Sequence, residues 1–158
     1  MIISSETRFV ADVMLGRLSK WLKVMGFDTH YQPFYGSGMI DAFLHDGRLL
    51  ISRNKRLIEK YDPSLFIETE HVRTQLREII RKGYLPLDNS RWFTRCLICN
   101  IPLKKISIED CKVQIPEYIY SQNSSGIHSC PSCGRYFWPG SHKTRMLHQL
   151  SEWQLDNN

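Results

Sequence analysis

Nowhere in its 158 residues does this chain hold the ~18 consecutive apolar residues of a membrane-spanning helix, so a helical span is excluded. The opening Met1-Ile2-Ile3-Ser4-Ser5-Glu6 has no apolar leader core, and a cytoplasmic, reducing setting is expected. Internal repeats and low-complexity tracts are lacking too. Charge of one sign is not in large excess: a net +5 leaves a polyanionic partner open without arguing for one. A chain of this length buries roughly 70% of its unfolded surface, enough for one core and a small metal-held module. Cysteine is scarce, with five in all. Their placement matters more than their number.

Cys96 and Cys99 form one C-x-x-C hook, and Cys130 and Cys133 form a second. Two such hooks supply the four thiolates of a tetrahedral zinc site. In a reducing compartment that reading is favoured over its competitor, a pair of disulfides. Asn100 follows the first hook and Gly134 the second, two residue types that tolerate the left-handed backbone of a turn wrapped around a metal-bound sulfur. One structural Zn2+ in a zinc ribbon is expected. His128 and His142 flank the second hook and are alternative ligands for a Cys3His set, whereas Cys111 has no partner at ligand spacing and reads as structural. A four-thiolate site has no open coordination position, so the zinc holds the fold and is not the catalyst.

Upstream of the hooks, short apolar runs alternate with helical patterns. A strand over Arg8–Ala11 reaches Asp12, and Leu15, Leu18, Trp21, Leu22 and Met25 then recur at helical spacing, leaving Arg17, Lys20 and Lys23 off the stripe. Gly26 stops that helix. Strands follow at Phe27–Tyr31, Arg48–Ser52 and Leu65–Ile67. Between and after them lie a breaker-rich turn over Pro33–Gly38, a helix around Ile40 and Phe43, a helix capped by Asn54, and a helix from Val72 to Ile80. Strand and helix alternating at this spacing predict an α/β domain: a doubly wound parallel sheet with helices on both faces. Breakers over Gly83–Ser90 place a boundary there, giving an α/β domain over 7–88, a zinc ribbon over 91–142 and a closing helix over 143–155. Met146, Leu147, Leu150 and Trp153 form the docking stripe of that last helix. The aromatic run Tyr136-Phe137-Trp138 reads as core packing rather than a nucleic-acid platform.

Ligands of an open α/β sheet bind beyond the carboxyl ends of its strands, which draws attention to Asp12, Asp28, the Ser52-Arg53-Asn54 step and Glu68. Asp12 is the leading candidate, as a ligand for a divalent cation with Arg17 and Lys20 toward a phosphate chain; the alternative is an ordinary helix N-cap. The residues Phe9-Val10-Ala11-Asp12-Val13-Met14-Leu15-Gly16-Arg17-Leu18, Trp21-Leu22, Gly26-Phe27-Asp28-Thr29 and Gly47-Arg48-Leu49-Leu50 stand in an order shared with a known family. So do Arg95-Cys96 with Cys99-Asn100, Cys130-Pro131-Ser132-Cys133-Gly134-Arg135, and Trp138-Pro139-Gly140-Ser141-His142. Over about residues 8–146 the chain resembles the Mut-seven C-terminal ribonuclease domain family. That resemblance implies a PIN-like three-layer domain carrying a zinc ribbon, RNA as substrate, and cleavage dependent on Mg2+ or Mn2+.

Such chemistry needs several carboxylates to hold the cation against a scissile phosphate. Asp12 matches the family's first acidic position, but the acidic cluster expected at the next helix falls on Gly36-Ser37-Gly38, and Thr-Arg-Asp after the third strand reads Ser52-Arg53-Asn54. Asp41 and Glu70, with Glu68 beside it, stand as substitutes. The expected set is therefore Asp12, Asp41 and Glu70 for catalysis, with Arg17, Lys20, Arg53 and Lys55 for RNA. Three readings compete: a metal-dependent endoribonuclease, a degenerate relative that binds RNA without cutting it, and an adaptor that docks a protein partner through the ribbon or closing helix.

Overall fold

Phe9-Val10-Ala11 has no polar side chain, and in the computed structural model of the protein it becomes β1 (Phe9–Ala11), each residue 0% exposed. The structure describes residues 7–110, 115–122 and 126–155; the expectation for Cys111 lies outside them. β1 pairs in parallel with β2 (Thr29–Tyr31) and β3 (Leu49–Ser52), and β3 pairs in parallel with β4 (Ser64–Phe66), giving the order β2-β1-β3-β4. This is the doubly wound parallel sheet that the alternation predicts. Opposed at the same register, Val10 and Leu50 share one face, where they pack with Ile40, Phe43 and Leu44 of α2 (Met39–His45) and Leu57 of α3 (Lys55–Lys60). The β1-to-β2 crossover is made by α1 (Gly16–Val24), which packs beside α4 (Val72–Arg81).

Local chemistry sets the helix ends. Met14 and Leu15 belong not to α1, as the periodicity predicts, but to a 3-10 turn over Val13–Leu15. Asp12 imposes it: its side chain accepts the Val13 N–H at 2.6 Å while its carbonyl accepts the Leu15 N–H at 2.9 Å. Asn54 caps α3 as expected, its side-chain oxygen accepting the Arg56 N–H at 3.0 Å. At Gly26 the chain leaves α1 with φ +88°, and a Cβ there would collide with the Arg91 carbonyl. Gly26→Ala is expected to destabilise the protein by about 3 kcal/mol, from overpacking plus a left-handed backbone, read as a lowered denaturant midpoint at unchanged slope.

The chain divides into two compact units after Asn100. In the second, β5 (Lys104–Lys105), β6 (His128–Ser129) and β7 (Tyr136–Phe137) form an antiparallel sheet. Ile115, Ile119 and Ile127 make its core, with α5 (Glu117–Gln122) contributing Ile119; Tyr136 and Trp138 pack against it, the core role expected of the aromatic run. The closing helix, α6 (Ser141–Glu152), buries Met146 and Leu150 while Leu147 is 40% exposed. The expected stripe is narrower than its sequence spacing implied, because one residue of helical rotation carries Leu147 off the line joining Met146 to Leu150. Among the described residues no helix is long and apolar enough to cross a membrane.

Candidate nucleic-acid site and zinc centre

The strand order reverses between β1 and β3, so the crevice outside their carboxyl ends is the place where such sheets take ligands. Asp12 and Ser52 meet there. The Asp12 N–H donates to the Ile51 carbonyl at 3.0 Å, one carboxylate oxygen accepts the Val13 N–H, and the other accepts the Ser52 hydroxyl at 2.7 Å. Ser52 Oγ in turn accepts the Asn54 N–H at 2.9 Å. The carboxylate is thus engaged at both oxygens, and Asp12 is only 4% exposed. Two tyrosines lock the carbonyls on either side of it: Tyr35 Oη donates to Ala11 at 2.7 Å, and Tyr31 Oη donates to Val13 at 3.0 Å. Burial pushes the Tyr35 hydroxyl up to about 12, with the Asp12 charge adding to the rise, so it is a donor at neutral pH. Gly16 is glycine because the Tyr31 ring covers it; an added Cβ would stand 2.9 Å from that ring.

Around this centre the expected basic residues take different positions. Arg17 and Lys20 are exposed on α1, whose first turn carries Arg17 at the same end of the sheet. Arg53 pairs with Glu70 across 3.4 Å, and Lys55 Nζ lies 5.7 Å from the Phe66 ring centroid. Glu78, which the sequence reading passed over, fixes the loop after β4. Buried at 3% exposure, it accepts the Glu68 and Thr69 amides and the Thr69 hydroxyl, with Lys82 at 2.8 Å. Phe34, 75% exposed in the loop between β2 and α2, and Met14, 61% exposed after Asp12, were missed as well. For Phe34 the breaker-rich stretch after the second strand was the only signal.

The carboxylates expected for catalysis are not gathered. Asp41 lines a cleft of about 360 Å³ with Leu44, His45, Lys60, Tyr61 and Asp62, at the end of α3 rather than at the switch point. The Glu70 side chain is 76% exposed on its arginine partner, and Asn54 spends its oxygen on the α3 cap. Asp28 stands at the amino end of β2, not its carboxyl end. Among the described residues, Asp12, Asp41 and Glu70 do not form a group whose oxygens converge on one ion. As placed here, these donors do not fit a catalytic Mg2+ or Mn2+.

The hooks behave otherwise. The sulfurs of Cys96, Cys99, Cys130 and Cys133 all lie within 4.8 Å of one another, and none is joined in a disulfide. A tetrahedral ion with Zn–S bonds of ~2.3 Å sets its sulfurs ~3.8 Å apart, so the group suits zinc, while disulfides are not formed. Neither His128 nor His142 belongs to it. The two hooks repeat one geometry. The Cys99 N–H points at Cys96 Sγ across 3.4 Å and the Cys133 N–H at Cys130 Sγ across 3.5 Å, amide bonds that favour the thiolate form. Asn100 at φ 59° and Gly134 at φ 71° take the left-handed backbone expected of them. Paired hooks downstream of an Asp12-bearing parallel sheet accord with a match to the Mut7-C RNAse domain model over residues 7–150. The chain belongs to the Mut7-C RNase domain family. No curated protein and no solved structure is significantly similar to it.

In this Mut7-C chain the first hook is tied to α1 and β2 by a dense set of bonds. Asn100 donates to Asp28 at 2.7 Å and accepts the Thr29 N–H at 3.0 Å; Arg95 donates to Gly26 and Asn100 carbonyls; the Phe93 N–H donates to Val24 at 2.7 Å. Asp28 also takes a two-pronged contact from Arg48, at 2.6 and 3.2 Å. Burial by itself would raise the Asp28 pKa. Hydrogen bonds from Arg48 and Asn100, with the charges of Arg48 and Arg95, more than offset it and hold the group below the usual carboxylate range.

Proposed function

We propose that this Mut7-C domain binds single-stranded RNA across the carboxyl ends of β1 and β3 and has lost metal-dependent cleavage. The state of Asp12 carries this reading: the carboxylate matching the family's first acidic position is 4% exposed and bonded at both oxygens, with an amide residue, Asn54, in place of the next. Phosphates would meet Arg17, Lys20, Arg53 and Lys55, and a base would stack on Phe34. Log affinity is expected to fall linearly with log salt, Arg17→Ala and Lys20→Ala each lowering the slope by about 1. Phe34→Ala is expected to weaken single-stranded binding about tenfold. Fluorescence anisotropy in a salt series measures all three.

A second reading, metal-dependent endoribonuclease, is favoured by the survival of Asp12 and Ser52 together at the switch point. Incubating wild type and Asp12→Asn with a mixed RNA pool in Mn2+ separates the two, since Asn keeps the capping role of Asp12. The binding-only reading expects no products from either protein; EDTA-sensitive products from wild type alone would replace it with the endoribonuclease. Restoring carboxylates with Asn54→Asp and Gly38→Glu is then expected to create cleavage. Asp caps α3 as well as Asn does, and nothing lies within 4 Å of a Cβ at Gly38, although its φ of +77° adds about 1 kcal/mol of strain. Absence of RNA binding even at low salt would remove both readings and leave the ribbon or closing helix as a protein-docking module.

A further inference from the structure

Lys23 breaks the pattern of its own helix. Three cations of α1 fall off the apolar stripe, and two of them, Arg17 and Lys20, are exposed; Lys23 is 8% exposed in the last turn. Its ammonium donates to the Leu97 carbonyl at 2.9 Å, inside the first hook between Cys96 and Cys99. No carboxylate forms an ion pair with it among the described residues. An ammonium taken out of water with no anion beside it is strongly disfavoured, so the burial of this one requires a counter-charge. Leu97 directly follows Cys96, so this bond anchors the ammonium to the first hook; burial lowers the Lys23 pKa, and negative charge on Cys96 opposes that fall. Four thiolates around one Zn2+ leave a net charge of about −2, which a buried cation on the adjoining helix is placed to offset.

We propose that Lys23 is the counter-ion of the zinc centre: a positioning residue that seats the first hook on α1 through Leu97 and stabilises the charge of the tetrathiolate. It touches no substrate and acts through Cys96, so the inference stands apart from the RNA reading. Three variants separate charge from hydrogen bonding. Lys23→Met removes both, Lys23→Gln keeps a donor for Leu97 without charge, and Lys23→Arg keeps both.

The test is zinc affinity of the full chain by competition with a chelating indicator at neutral pH, together with the alkylation rate of the zinc-loaded thiols. Lys23→Met and Lys23→Gln are expected to lose about 10- to 100-fold in zinc affinity and to be alkylated faster, while Lys23→Arg stays near wild type. Wild-type affinity in Lys23→Gln would overturn the counter-ion role and leave only a hydrogen bond. Equal affinity in all three would overturn any role in the metal site. If Lys23→Gln fails to fold with zinc present while Lys23→Arg folds, the requirement for charge is established through stability instead.

Discussion

Cys96→Ser is expected to abolish stoichiometric zinc binding and lower the thermal midpoint by more than about 10 °C. Structural zinc contributes apparent binding energies of roughly 10 kcal/mol or more in small modules, and each 1 kcal/mol moves the midpoint of a chain this size by ~2–4 °C. Cys96 is fully buried, so serine would leave a hydroxyl that is a poor zinc ligand in a site with no water to solvate it. The metal joins residues far apart in sequence, and its loss releases the 30 residues between the hooks, 100–129, from a closed loop. Cys133→Ser tests the same idea from an exposed ligand: equal loss of metal with less disturbance of packing. Cys111→Ser should leave one zinc per chain. Elemental analysis alongside thermal melts with and without chelator reads all three; a wild type purified free of zinc, melting unchanged in chelator, would remove the zinc centre from this account.

Asp28→Ala is expected to cost about 3 kcal/mol, the low end for breaking a buried ion pair because a fifth of the Asp28 side chain remains exposed. The loss reaches beyond one contact. Arg48, whose side chain is only 12% exposed, would be left without its two-pronged partner, and Asn100 would lose the bond that seats the turn after the first hook. Asp28→Asn restores shape without charge and should recover part of the loss. The same group makes stability depend on pH. Glu78 behaves alike: burial alone would raise its pKa, but Lys82 and the Glu68 and Thr69 amides outweigh that and depress it. A carboxylate depressed in the folded state contributes in full above its unfolded pKa, ~3.9 for Asp and ~4.3 for Glu, and loses that contribution as pH falls toward the folded value. Stability should therefore be flat in these two groups from neutrality to about pH 5 and decline below about pH 4. In Asp28→Asn combined with Glu78→Gln, denaturant midpoints across pH 3–7 should show a shallower acid limb; an unchanged limb would mean other carboxylates govern it.

Several parts of this molecule were readable from residues alone. The two C-x-x-C hooks, with Asn100 and Gly134 behind them, are a local code: metal ligation dictates residue type and spacing within a few positions. The parallel sheet was equally legible, since buried triplets such as Phe9-Val10-Ala11 separated by amphipathic helices admit few packings. Gly26 and the Asn54 cap followed from backbone chemistry that acts within one turn. Helix α1 was misjudged at its start, because the Asp12 carboxylate overrides periodicity for Val13–Leu15.

Function-bearing positions were harder. Asp12 was singled out as a metal ligand or a cap, and nothing in its neighbours announces that Ser52, 40 residues away, donates to it. Asp41 looked like a replacement carboxylate one helical turn past Gly38, yet it faces Lys60 and Tyr61 across a different cleft. Lys23 was placed off the apolar stripe with Arg17 and Lys20, and nothing beside it in sequence announces its bond to Leu97, 74 residues on.

By itself the sequence determined the order of strands and helices, the four cysteines that can hold a zinc ion and the membership of the Mut7-C family, because each rests on spacing between near neighbours or on an ordered set of motifs. Only the tertiary structure decided whether a charged group stands free or engaged. Burial and hydrogen-bond partners come from chain segments brought together by folding, and the electrostatic character of Asp12, Asp28 and Lys23 is set by those partners and not by the residues beside them.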